Sequence, residues 1–274
     1  MFKKIRDYGK EFIGEFQKDD VPVLAASQAY YYLLAIFPML ILILSLLPYF
    51  SIDSERVMAF ISNNVPGNTG EIFRENIVSV VEEPSGGLLT IGILGTIWSA
   101  SNGVNAFIKA SNIAYNVEET RSFIKVRLIS IGLTFGMIVA ILVAIMLPVF
   151  GDVIISFTQN LLRLPDSTVI IFQILRWVVA IIVMTGVLMA LYHIAPNTKI
   201  PFKSIIPGAL TTALLWQIIS LLFSFYINNF GNYSATYGSL GGIIILMLWF
   251  FLTGLILMVG AEINVMISKH KQSK

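Results

Sequence analysis

The chain has 274 residues, 56% of them hydrophobic and 12% charged, with a mean hydropathy of +0.81. Water-soluble domains carry about 25% charged residues, so this composition excludes a protein whose whole surface meets water. Cysteine is absent and the two histidines, His193 and His270, stand far apart, which excludes disulfides and thiolate metal sites and leaves no metal or cofactor expected.

The first 20 residues are charged and amphipathic. Ile5, Tyr8, Phe12 and Phe16 recur at helical spacing, with Lys3, Lys4, Lys10, Glu11 and Lys18 between them. The pattern predicts a helix, lying in the membrane interface or packed on the protein's own inner face. It is not a secretory signal, which has a short apolar core and a small-residue cleavage site.

Six apolar segments follow, at about 24–50, 88–113, 127–150, 169–194, 206–229 and 238–268. Each is long enough to cross the hydrocarbon, which takes about 20 residues. The expected fold is therefore an all-α integral membrane protein, one domain over 1–274. It is a bundle of six transmembrane helices with an N-terminal interfacial amphipathic helix. The last segment exceeds the hydrocarbon thickness and is expected to tilt or project. Between the first two spans, 51–87 is the longest polar stretch. Two short surface helices are expected there, Ser54–Asn63 and Thr69–Val81, with a lid over an external opening as the alternative.

Loop charge alternates. Lys3, Lys4, Arg6, Lys10 and Lys18 precede the first span; Arg121, Lys125 and Arg127 lie between the second and third. Lys199 and Lys203 join the fourth and fifth; Lys269, Lys271 and Lys274 close the chain. The opposite loops hold Arg56, Arg74 and Arg163. The positive-inside rule then puts both termini in the cytoplasm.

The second span carries Trp98, Asn102, Asn105, Lys109 and Asn112 at spacings of three and four, hence on one helical face, opposite Ile91, Leu94, Ile97 and Ile108. A Lys near the bilayer centre costs about 2.5–3.5 kcal/mol on insertion scales, so the stripe is expected to face the bundle or a hydrated cavity. The alternative is a snorkelling Lys109 with the Asn residues as interhelical glue. Gln217 in the fifth span and Glu262 in the sixth extend the polar set, and a Lys109–Glu262 ion pair is expected from their similar depth. Gly-rich phosphate loops, nucleophile elbows and HExxH motifs are absent from the sequence, and no enzyme activity is expected.

Ala29-Tyr30-Tyr31, Phe37-Pro38, Trp98-Ser99-Ala100-Ser101, Tyr192 with Pro196-Asn197, Pro207-Gly208-Ala209, Trp216, Tyr226, Tyr237-Gly238-Ser239-Leu240 and Gly260-Ala261-Glu262-Ile263-Asn264 occur in that order along the chain. In these motifs the sequence resembles the YihY/BrkB family of bacterial membrane proteins. The resemblance implies a six-helix inner-membrane protein. It also brings the inherited label "ribonuclease BN", without the His- and Asp-rich motif of the zinc hydrolase of that name.

The leading expectation is a transporter or channel-like permease for a small solute, ion or lipid. Its pathway would be lined by Asn102, Asn105, Lys109, Asn112, Gln217 and Glu262. A non-catalytic envelope-integrity or virulence-associated protein is the alternative, and a membrane-bound ribonuclease comes third. The expected partners are membrane lipids and the transported species; nucleic acid is not among them.

Overall fold

A computed structural model describes residues 2–46, 49, 85–139, 166–230 and 240–272, and the regular elements among them are helices. They are α1 (Phe2–Lys18), α2 (Val21–Leu46), α3 (Gly86–Ala114), α4 (123–139), α5 (Asp166–Ile194), α6 (Phe202–Phe230) and α7 (Gly241–Gln272). By length and composition four of the described helices can cross a membrane, α2, α3, α6 and α7, and α5 contains a shorter apolar helix, Val178–Ile194. The expected 51–84 surface helices, the second half of the third apolar segment, Tyr237 and Gly238 lie outside the described residues.

Local chemistry sets the helix boundaries. Asp20, at φ 47°, breaks α1 from α2 while its carbonyl accepts from the N–H groups of Val23 and Leu24. Ser85 caps α3, its hydroxyl accepting from Leu88 N at 3.3 Å. Ser85–Gly87 therefore open a helix instead of closing a loop, as the sequence reading had it. At the far end Asn116 takes the left-handed conformation at φ 52°. Asn116 N then bonds Ile113 O, and Val117 N bonds Asn112 O, which together make a Schellman stop.

Small residues choose the helix neighbours. Cβ atoms added at Gly92 and Gly95 of α3 would meet Leu42 Cα at 2.9 Å and Pro38 Cβ at 3.2 Å, and one at Gly103 would overlap the Tyr32 ring. The glycine face of α3 thus lies directly on α2, with the two helices antiparallel. Gly254 of α7 packs on the Ala25 backbone, and Tyr32 meets Phe250 at 5.8 Å, so α2 and α7 are antiparallel too. The buried apolar core (Val104, Phe107, Ile108, Leu191, Tyr192, Ile205, Met258 and Val265 among its members) gathers in the half of each helix nearest the chain termini. Farther out Ile91, Leu94, Ile182, Leu221, Leu222 and Phe225 are exposed, as lipid-facing side chains are.

Helix α1 lies against α7. Glu15 bonds Lys269 at 3.1 Å, Glu11 approaches His270 at 3.6 Å, and the Tyr8 ring meets the His270 ring at 5.0 Å, tilted by 51°. Of the two readings of the amphipathic arm, this is the one in which it packs on the protein itself. An apolar groove of about 410 Å³ remains between α1 and α7, lined by Tyr8, Phe12, Ile263 and Met266 among others.

Candidate functional site

The antiparallel register of α2 and α7 builds a buried acidic site at the termini-bearing end. With Ala25 opposite Gly254, Asp19, just before the start of α2, and Glu262, eight residues or about 12 Å farther along α7, fall at the same end. The two carboxyls are near enough there to act on one another. Glu262 is 0% exposed and Asp19 7%. Neither Glu262 oxygen has a hydrogen-bond partner among the described residues, and Asp19 Oδ2 has none. The Tyr115 phenol, just past the end of α3, lies in the field of Glu262, its Oη buried with no hydrogen-bond partner among the described residues. Burial first, and the Glu262 charge second, push that phenol up from its ordinary range.

Two ammonium groups stand close but are already engaged. Glu15 takes Lys269 at 3.1 Å and Lys18 at 3.3 Å, while Lys18 is 3.9 Å from Asp19. The Lys269 bond chiefly holds the Glu15 carboxyl below its ordinary range. Asp19 goes the other way: desolvation raises it, more than Lys18 can offset.

Other polar groups near this site are paired, although Asn264 Nδ2 is buried with no partner among the described residues. Tyr192 Oη shares a 2.7 Å hydrogen bond with Thr212 Oγ1 and donates to Leu257 O at 2.7 Å, tying α5, α6 and α7 together. Asn264 Oδ1 accepts from Gly208 N. Asn112 donates to Glu119 at 2.9 Å and accepts from Asn197 N at 2.7 Å; Arg121 grips Glu119 through two nitrogens and donates to the carbonyls of Ile194 and Ala195. This clasp locks the α3–α4 connection to the α5–α6 connection.

The expected polar stripe is not a shared lining. No hydrogen bond or ion pair joins any two of Asn102, Asn105, Lys109, Asn112, Gln217 and Glu262 among the described residues. The expected Lys109–Glu262 ion pair is absent: Lys109 is exposed on the outside of α3, and the acids and ammoniums facing Glu262 are Asp19, Glu15, Lys269 and Lys18. Glycine contact with α2, not polarity, decides which way α3 turns. The same rotation buries Ile108 completely, although it was assigned to the lipid side, and leaves Trp98 exposed. Asn102 accepts from Arg127 Nη1 at 2.6 Å, with the guanidinium carbon 3.6 Å above the Trp98 ring. Arg127 thus belongs to a helix and its packing, where the sequence reading had a loop base. Asn105 is half-buried, and half-buried Gln217 contacts Met184 Sδ at 3.6 Å.

Among the other motif residues, Tyr30 is exposed, Pro196 buried and Asn197 part of the clasp. Pro38 and Pro207 lie inside helices, and Trp216 meets Trp249 edge-on at 5.9 Å. Ser99 is half-buried and Tyr226 exposed. Asp19 and Glu15 were not singled out from the sequence. Lys18-Asp19-Asp20 reads as a solvated break before a span, and only its acid pair hints otherwise. Among the described residues there is no group of three or more His, Cys, Asp or Glu able to hold a metal.

Long apolar helices, packed through small residues with their charge at one end, define an α-helical polytopic membrane protein. A family model described as virulence factor BrkB matches residues 12–274, and the chain belongs to that family. It is 41% identical over 263 residues to YfkH of Bacillus subtilis, a protein named as ribonuclease-like, covering 96% of both chains. It is 28% identical over 260 residues to a UPF0761 membrane protein of Photobacterium profundum, covering 93% of this chain and 78% of the relative. A UPF0761 membrane protein of Vibrio vulnificus is 27% identical over 267 residues, covering 94% and 82%. No solved structure matches the chain.

Proposed function

We propose that this chain is a six-span permease of the bacterial inner membrane, with both termini in the cytoplasm, that moves a small solute, ion or lipid. Glu262 carries the reading. A buried carboxylate with no partner is costly, and an apolar group of similar shape in its place is often neutral or stabilising. Ionisable residues kept inside a membrane bundle mark ion and solute paths. Half-buried Asn105 and Gln217 would line the path beyond the acidic site, whereas Asn102 and Asn112 are committed to Arg127 and the clasp. Lys109 would snorkel on the outer face of α3. The excess of Lys and Arg at the termini supports the cytoplasmic orientation.

The second reading is a non-catalytic envelope-integrity protein. It is favoured by the paired Tyr192–Thr212 and Asn264–Gly208 contacts, which hold helices together without serving a path. A nuclease reading, suggested by the name of the Bacillus relative, is disfavoured because Glu119 is spent on Arg121 and Asn112.

Flux into proteoliposomes, screened across ions, osmolytes and a short-chain fluorescent lipid, tests the proposal. Wild-type vesicles should pass at least one species faster than empty liposomes. Glu262→Gln should abolish that flux while the protein still elutes as a folded species. Wild-type vesicles no leakier than empty ones across the whole screen would favour the envelope reading.

A further inference from the structure

We infer that the facing carboxyls of Asp19 and Glu262 form a proton-binding site at the inner end of the bundle, holding one proton between them. The inference deepens the transport reading by naming the ligand of the same site, and it rests on Glu262 being a working residue.

Two independent observations point there. The first is charge. Three acids meet two ammoniums: Glu15, Asp19 and Glu262 against Lys18 and Lys269, with Tyr115 as a neutral phenol. Glu15 holds both ammoniums at the shorter distances, with Lys18 also 3.9 Å from Asp19, so the surplus negative charge falls on the Asp19–Glu262 pair. The second is unmet hydrogen bonding. Glu262 is a fully buried side chain aimed at Asp19, with both oxygens unpartnered among the described residues. Two carboxylates cannot hydrogen-bond each other, since both only accept. One shared proton converts the contact into an O–H···O⁻ bond, cancels the surplus charge and gives each carboxyl one hydrogen bond. Binding needs no other reactant: a proton arrives from the cytoplasm onto one carboxylate oxygen and leaves the same way.

The Glu15–Lys269 and Glu11–His270 contacts hold α1 against α7 beside the site.

Infrared difference spectroscopy on the full-length protein in nanodiscs tests the proposal. The wild type should show a protonated-carboxyl C=O band at neutral pH, shifting on deuteration. Asp19→Asn and Glu262→Gln should each remove it. Glu15→Gln, which takes a negative charge from the pair and frees Lys18 and Lys269 toward it, should move the band's midpoint to lower pH. This third variant keeps the test alive should Glu262→Gln not fold. No band, a band that survives either pair substitution, or a midpoint unmoved by Glu15→Gln would overturn the site. So would loss of the band on adding sodium at constant pH, which would make it a metal-cation site. The band reads proton binding whether or not a solute moves. A band without flux therefore sinks the transport reading alone, and flux without a band sinks the proton site alone.

Discussion

Asn264 Oδ1 accepts a 2.9 Å hydrogen bond from the backbone N–H of Gly208, across a helix crossing too close for any side chain at Gly208. A Cβ there would collide with the Gly260 carbonyl and the Asn264 amide; one at Gly260 would collide with Thr212 Oγ1 and Tyr192 Oη. Gly260→Ala should destabilise by about 1–3 kcal/mol through overpacking, with the Tyr192–Thr212 bond strained as well. Gly208→Ala should cost at least as much, because it also displaces Asn264. Thermal unfolding in detergent, compared with Gly132→Ala, where a Cβ meets nothing within 4 Å, checks this. Equal melting temperatures for Gly260→Ala and Gly132→Ala would contradict the close crossing.

The clasp predicts an acid-sensitive connection. Hydrogen bonding to Arg121, ahead of all other causes, holds the Glu119 carboxyl at about 2, below its ordinary 4.5. The folded value lies below the unfolded one, so the stabilisation is complete above about 4.5 and lost as pH falls toward 2. Glu119→Gln should flatten that limb of the stability profile and leave it less stable than wild type at neutral pH. An acid limb identical in both proteins would show that Glu119 contributes nothing there.

Lys109 and Glu262 should behave as strangers. With Lys109 exposed and Glu262 buried beside Asp19, the stability changes of Lys109→Met and Glu262→Gln should add to within about 0.3–0.5 kcal/mol. Asp19→Asn combined with Glu262→Gln should be strongly non-additive. The two double-mutant cycles, run side by side in one detergent, decide between the partners.

Topology can be read directly in this cysteine-free chain. A cysteine at Ser85 should react with an impermeant thiol reagent from outside intact cells, and cysteines at Glu118 and Lys199 only after the membrane is opened. Reaction of Ser85→Cys solely from the cytoplasmic side would invert or break the six-span arrangement.

Much of the fold is legible in the chain. The apolar run 88–113 is read there as one helix, although its Ser85 cap and Asn116 stop, set by only three neighbouring residues, became clear only in the structure. The α1 pattern of Tyr8, Phe12 and Phe16 shows which face is apolar but not whether lipid or protein covers it. That choice turns on Lys269 and His270, more than 250 residues away. The candidate site was half legible. Glu262 stands out as an acid inside an apolar run, whereas Asp19 looks like an ordinary charged residue before a span.

Length, apolarity and charge placement act locally and add along the chain, so the sequence by itself determined the helical class, the apolar segments and the end where the charge gathers. Which polar side chains meet depends on the rotation of each helix about its axis. That rotation comes from close backbone contacts at Gly92, Gly103, Gly208, Gly254 and Gly260, made with residues remote in sequence. Only the tertiary structure could therefore turn Lys109 outward, seat Asn112 in a clasp and set Asp19 against Glu262. Helical periodicity gives the relative angle of two side chains on one helix but carries no information on the angle between helices.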